Sequence, residues 1–173
     1  REHGITRDPH SMQARPAAEI WNYQQVELGF NYRLTEMQAA LGISQLARVE
    51  DFVCARTKVA KTYDEALNEP NIRKPPVCPP GVKSSYHLYS VRIASGAGQK
   101  TQRLLYDHLR HNGVGVNIHY IPIHRHPFFE ALGFRQGDFP EAESFHKEVL
   151  SLPIYPLLTE DDQNKVIELI AQV

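Results

Sequence analysis

The chain has 173 residues, with 19 Lys and Arg against 20 Asp and Glu, and a formal net charge of -1, so it carries neither the electrostatic footprint of a nucleic-acid binder nor a strongly acidic surface. At 42% hydrophobic and 23% charged, with 12 Pro and 10 Gly, it has the composition of an ordinary soluble globular protein, which excludes disorder as its main state, and its length fits one domain of roughly 150 residues. No stretch approaches the roughly 20 apolar residues of a membrane helix, Cys54 and Cys78 are too few for a disulfide framework, and the opening Arg-Glu-His-Gly-Ile has neither a Met nor a signal-peptide core, which together suggest a piece of a longer cytoplasmic protein.

The first 30 residues mix charge with Gly4, Pro9, Pro16 and Gly29 and predict loops and short strands, including one at Gln24 to Leu28. At Thr35 the texture changes. Thr35 and Gln38 stand at capping-box spacing, and Leu34, Met37, Leu41, Leu46, Val49, Phe52 or Val53, Val59, Tyr63 and Leu67 follow at helical intervals, predicting one or two long helices. Unbroken to Asn68, such a helix would run on the order of 50 Å, so it is expected to pack on something outside this chain or to bend near Gly42 or Asp51. Six residues, Pro70, Pro75, Pro76, Pro79, Pro80 and Gly81, then predict a linker without regular structure.

Beyond the linker, Tyr86 to Ile93 reads as a strand and Thr101 to Asn112 as a helix with Leu104, Leu105, His108 and Leu109 on one face and Gly113 at its stop. Val116, Ile118 and Tyr120 alternate with Asn117, His119 and Ile121, predicting a second strand whose polar face is a candidate site wall. Pro140 to Leu150 predicts a helix, Ser151 to Ile154 an extended run, and Thr159 caps a last helix with a buried stripe of Val166, Leu169, Ile170 and Val173. The sum is an α/β or α+β unit in which helices cover a small sheet.

Two strings carry candidate chemistry. His119, His124 and His126 lie in His-Tyr-Ile-Pro-Ile-His-Arg-His, where Pro122 and Pro127 prevent a helix from bringing three imidazoles together and no adjacent Cys, Asp or Glu completes a zinc shell. A polar substrate pocket, a solvated loop and, less favoured, zinc stay open as readings. The second string is Gly29-Phe30-Asn31-Tyr32-Arg33, directly before the cap at Thr35. An Asn amide and an Arg beside a helix N-terminus suit phosphate oxygens. The alternative is a turn that uses Gly29 and Asn31 for their backbone angles while Arg33 faces water. Gly96-Ala97-Gly98 lacks the third glycine of a dinucleotide fingerprint. Ser84 and Ser85 near His87 point to opposite faces of a strand and make no triad. Trp21, Tyr23 and Tyr32 read as packing or interface residues.

Arg-Glu-His-Gly-Ile at the start, Val-Glu-Leu-Gly-Phe-Asn-Tyr-Arg-Leu-Thr-Glu-Met-Gln-Ala-Ala-Leu-Gly at 26–42, Ser-Tyr-His-Leu-Tyr at 85–89, Val-Asn-Ile-His-Tyr-Ile-Pro-Ile-His at 116–124 and Ser-Leu-Pro-Ile-Tyr-Pro at 151–156 resemble the DegT/StrS type of nucleotide-sugar aminotransferase. The match runs in order over nearly the whole chain, and the 119–124 string is most similar to the branch acting in pseudaminic acid synthesis. The resemblance implies the aspartate-aminotransferase fold type I. It divides the chain into the end of a cofactor-binding domain at 1–34, a long interdomain helix region at 35–69 and a C-terminal small domain at 70–173. It implies pyridoxal phosphate as cofactor, L-glutamate as amino donor, a 4-keto nucleotide sugar as acceptor and a homodimer with shared active sites.

It also implies that the lysine that binds the cofactor covalently precedes residue 1, so that no catalytic residue is carried here and the chain alone is expected to be inactive. None of Lys58, Lys61, Lys74, Lys83, Lys100, Lys147 or Lys165 stands in that lysine's context. By resemblance Asn31, with Arg33 in support, binds the cofactor phosphate of the neighbouring subunit, while Asn117, His119, Tyr120 and His124 fall in the segment used for the sugar nucleotide. A different class of reading is a catalytically empty module that keeps the sugar-nucleotide surface. No metal is implied.

Overall fold

Three threonines start three of the helices by the same physics, a hydroxyl accepting from a backbone N–H that the helix leaves without a partner. In the computed structural model, which describes residues 3–14, 23–94 and 101–173, Thr35 precedes α1 (Glu36–Leu46) with the full capping box: Gln38 N–H donates to its hydroxyl at 3.3 Å and Gln38 Oε1 accepts from Thr35 N–H at 3.0 Å. The Thr101 hydroxyl accepts from Leu104 N–H at the start of α3 (Gln102–His111), and the Thr159 hydroxyl from Asp162 N–H at the start of α6 (Glu160–Ala171). Between them lie α2 (Val49–Ala66), the short α4 (Pro127–Ala131) and α5 (Pro140–Glu148). Trp21, Gly96-Ala97-Gly98 and Lys100 lie outside the described residues.

The chain divides into two units, residues 1–48 and 49–173. In the first, β1 (Ile5–Thr6) pairs antiparallel with β2 (Gln24–Gln25). Gly29 is dictated by close approach, because a Cβ there would collide with the backbone of His3 and Gly4, and only glycine lets two main chains come so near. None of the residues of α1 is buried among the described residues, and Met37, Leu41, Ile43 and Leu46 are all exposed.

In the second unit β3 (Ile72–Arg73), β4 (Tyr89–Ile93) and β5 (Val149–Leu152) form an antiparallel sheet in the order β3-β4-β5. The register opposes Tyr89 to Leu152, Ser90 to Ser151, Val91 to Leu150 and Arg92 to Val149. With a side-chain period of two, Tyr89, Val91, Ile93, Leu150 and Leu152 share one face. They join Tyr63 of α2, Leu105 and Leu109 of α3 and Val166 and Ile170 of α6 in a single core. The reverse face carries Ser90, Arg92, Val149 and Ser151, and there Arg92 pairs with Glu148 at 2.7 Å while lying 5.5 Å from the Phe145 ring centroid of α5. Cross-chain anchors tighten the core: Tyr63 donates to the Pro153 carbonyl at 3.0 Å, and the buried Gln163 donates to the Val59 carbonyl at 2.8 Å.

The α/β class holds, and several local expectations are corrected. The long helix breaks at Ala47–Arg48 rather than at Gly42 or Asp51, where Arg48 N–H turns to the Gln45 carbonyl at 3.1 Å in the tighter bonding common at helix ends. The 70–81 linker contains β3, because the proline-free Asn71–Lys74 leaves room for two residues to pair with Ile93 and Arg92. The first strand starts at Tyr89, not Tyr86, whose φ is +46°. The strand expected over Val116 to Tyr120 does not form; among the described residues it makes one bridge, Asn117 with Ser151. With Asn117 and Ser151 exchanging both backbone bonds, the next pair of an antiparallel ladder would join residue 119 to Val149. Val149 is already taken: its N–H goes to the Phe145 carbonyl and its carbonyl accepts from the Gln102 side-chain amide. The extended run expected at Ser151 to Ile154 sits earlier, at Val149–Leu152, and Leu104 and Val173 are exposed.

Leu109 is fully buried and Leu104 is 57% exposed on the same helix, so Leu109→Ala is expected to cost about 2 to 5 kcal/mol and Leu104→Ala about 0.5 kcal/mol or less. Urea denaturation midpoints of the two variants check the difference.

Candidate functional site

In the first unit, the segment before α1 is held by the β1–β2 ribbon. Val26 N–H donates to the Gly4 carbonyl at 2.9 Å and His3 N–H to the Phe30 carbonyl at 3.2 Å, and Phe30 and Tyr32 stack with ring centroids 5.2 Å apart. Asn31 is exposed between them. Arg33 lines a hollow of about 640 Å³ together with Ile5, Thr6, Arg7 and Tyr23. The Arg7 guanidinium lies 6.0 Å from the Tyr23 ring centroid, so two guanidinium groups border one cavity. That donor set suits the phosphate end of a cofactor, as arginines and side-chain amides bind phosphate oxygens. Arg7 was not singled out from the sequence; it follows directly after β1, the strand that pairs with β2.

In the second unit, the reverse face of the β4–β5 pair carries a chain of polar contacts. His119 Nδ1 lies 2.8 Å from Ser151 Oγ, Ser151 Oγ lies 2.8 Å from Ser90 Oγ, and His119 Nε2 lies 3.3 Å from Asn117 Nδ2. Ser151 is 4% exposed, whereas Asn117 is open to solvent. Tyr120 is 69% exposed, and its ring meets His119 edge-on with centroids 4.5 Å apart. Asn117, His119 and Tyr120 are thus brought together, on loop backbone pinned to a buried strand.

His124 goes elsewhere. It is buried, 6% exposed, on the turn Ile123–Arg125, with Nε2 2.7 Å from Glu143 Oε1 of α5. The same carboxylate oxygen accepts from Gly137 N–H at 2.7 Å. The hydrogen bond from His124, and after it the one from Gly137, holds the Glu143 carboxyl below the ordinary carboxylate range. A hollow of about 400 Å³ beside it is walled by Pro122, Ile123, Phe129, Phe134, Phe139 and Ala142. His126 is exposed at the start of α4. Three imidazoles adjacent in sequence therefore face three environments, and among the described residues no group of three or more His, Cys, Asp and Glu is placed to hold a metal ion. Sequence reading missed Ser151, Ser90 and Glu143, whose partners are 32, 61 and 19 residues away.

A family model described as the DegT/DnrJ/EryC1/StrS aminotransferase family matches residues 1–171. The chain is 33% identical to the uncharacterised protein MJ1066 of Methanocaldococcus jannaschii across 100% of its own length and 45% of that protein. It is 30% identical to UDP-4-amino-4,6-dideoxy-N-acetyl-beta-L-altrosamine transaminase of Campylobacter jejuni across 90% of its length and 38% of that enzyme. Among solved structures, Spr1654 of Streptococcus pneumoniae, assigned as a sugar aminotransferase, matches in its PLP form with a TM-score of 0.74 at 25% identity, over 96% of this chain and 39% of that one. The chain spans less than half the length of the curated relatives it matches.

Because the Glu143 carboxyl is lowered on folding, its stabilisation is complete above the ordinary glutamate range of about 4.3 and is lost as pH falls through the lower folded value. Glu143→Gln should remove this part of the acid limb, flattening the fall of the urea midpoint between pH 5 and the acid transition, as titrated at a series of pH values. An unaltered acid limb would mean that the pair adds nothing on folding.

Proposed function

The chain belongs to the DegT/DnrJ/EryC1/StrS aminotransferase family, and from that membership we propose that it is the C-terminal part of a pyridoxal-phosphate enzyme that transfers an amino group from L-glutamate to a 4-keto-6-deoxy nucleotide sugar. The sugar is UDP-linked, and the product serves pseudaminic acid or a related surface polysaccharide. The enzyme works as a homodimer in the cytoplasm. No helix among the described residues is long and apolar enough to cross a membrane, and Cys54 and Cys78 are free thiols, which suits that compartment. The observation that carries the reading is the in-order family match over residues 1–171, with Asn31 placed just before a helix whose N-terminus is capped.

Bound pyridoxal phosphate supplies the electron sink for amino-group transfer. This chain's residues bind and orient. Asn31 donates its amide N–H to a phosphate oxygen, while Arg33 and Arg7 give their hollow a positive potential suited to the same anion. Asn117, His119 and Tyr120 meet the sugar nucleotide: the amide and imidazole offer hydrogen bonds, and the exposed Tyr120 ring offers an apolar face to a sugar or base. His124, already bonded to Glu143 inside the unit, acts on the substrate through the segment it anchors, holding Pro122 and Ile123 against α5.

In the full-length protein, Asn31→Ala is expected to weaken pyridoxal phosphate on the order of ten- to a hundredfold, the loss of one hydrogen bond to a charged group, read by absorbance titration of the apoenzyme. Unchanged affinity would confine Asn31 to shaping the turn.

A further inference from the structure

The polar contacts around His119 have a direction, and it can be read from one backbone group. Asn117 Oδ1 accepts from Ile118 N–H at 2.8 Å, which fixes the amide orientation, since the flipped amide would set its NH2 against that donor. Nδ2 is therefore the atom that faces His119 Nε2, 3.3 Å away. A donor facing Nε2 requires that nitrogen to be the unprotonated one, so the ring proton sits on Nδ1 and is donated to Ser151 Oγ at 2.8 Å. Ser151 Oγ, accepting from the ring, lies 2.8 Å from Ser90 Oγ, a hydroxyl able to take its proton. The run Asn117 to His119 to Ser151 to Ser90 is then consistent at every link. The opposite tautomer would place two donors face to face at Nε2.

Ser151 and Ser90 lie opposite each other in the β4–β5 register, so the two hydroxyls behind the ring are fixed by the sheet and not by the loop that carries His119. The open end of the run is different. Asn117 is exposed and its contact with Nε2 is the longest of the set, so an incoming ligand can take both atoms. What they present is one donor, Nδ2, beside one acceptor, Nε2.

We propose that Asn117, whose amide donor faces Nε2, keeps His119 as the neutral Nδ1–H imidazole, that Ser151, backed by Ser90, is the positioning residue that holds the ring by accepting from Nδ1, and that the Asn117–His119 pair recognises an uncharged group offering both a proton and a lone pair: a hydroxyl, or the N–H and C=O of an amide or imide edge. Phosphate and carboxylate oxygens, which have no proton to give, are disfavoured at Nε2. The substrate half of this inference rests on the reading that His119 faces the nucleotide sugar; the tautomer half does not.

The test uses full-length holoenzyme labelled with 15N in histidine, observed near pH 8.5, about two units above the ordinary histidine value. His119, identified by its loss in His119→Ala, should show a protonated Nδ1 and an unprotonated Nε2. Asn117→Ala, which removes the donor facing Nε2, should move it toward the Nε2–H form, and Ser151→Ala, which removes the acceptor at Nδ1, should do the same to a smaller extent, so the test survives if one variant folds poorly. The KM for the nucleotide sugar should rise about three- to tenfold in Ser151→Ala, the loss of one neutral hydrogen bond's worth of orientation, with the glutamate half-reaction unchanged. An Nε2–H ring in the wild type, or a tautomer indifferent to Asn117→Ala, overturns the proposal while leaving the aminotransferase reading intact. A KM for nucleotide sugar that is unmoved by His119→Ala overturns the site reading and the substrate half with it, whatever the tautomer.

Discussion

The antiparallel pairing of β4 with β5 sets where everything else in the second unit can be. Opposing Tyr89 to Leu152 and Val91 to Leu150 turns one face of the pair into the floor of the core, against which α2, α3 and α6 bury Tyr63, Leu105, Leu109, Val166 and Ile170. A shift of one residue in that register would exchange the faces, exposing the apolar set and burying Ser90 and Arg92. The same register that satisfies the core therefore delivers two serines, side by side, to the reverse face. One of them, Ser151, also exchanges backbone hydrogen bonds with Asn117, donating to its carbonyl at 2.8 Å, and so ties down the segment that bears His119.

This arrangement couples stability to recognition in a specific way. Loops carry binding groups because they are free to vary, but they position those groups poorly unless something rigid holds them. Here the rigid element is a strand whose four residues are all buried, and the connection is a short chain of hydroxyl and imidazole contacts. The neighbouring His124–Glu143 pair does the equivalent work one turn later, joining the Ile123–Arg125 turn to α5 and meeting the Gly137 amide at the same carboxylate oxygen. Tyr120, between the two anchors, is left facing outward.

Much of the frame was legible in the sequence because it is written locally. Capping residues at Thr35, the helix stop at Gly113 and the strand-length run ending at Ile93 each depend on neighbours within a few positions, and the structure has all of them, the strand beginning only at Tyr89. The alternation from Val116 to Tyr120 was equally visible and did not make a strand, because Val149, the residue of β5 that would bond next, has its N–H on the Phe145 carbonyl and its carbonyl on the Gln102 side chain. The three-histidine string left a polar pocket, a solvated loop and zinc open as readings. It separates because each ring is claimed from far along the chain, by Ser151 and by Glu143, or left in solvent at His126. Spacing within the string holds no information about those partners. The exposure of Met37, Leu41, Ile43 and Leu46 on α1 was likewise beyond periodicity, which reports an apolar face without saying what lies against it.

The most direct measurement is a crystal structure of the full-length protein with the proposed nucleotide sugar bound. The account predicts a hydroxyl or amide of the ligand within hydrogen-bond reach of both His119 Nε2 and Asn117 Nδ2, with His119 Nδ1 still on Ser151 Oγ. A ligand whose diphosphate oxygens occupy that position, or a His119 ring turned away from Ser151, would contradict it.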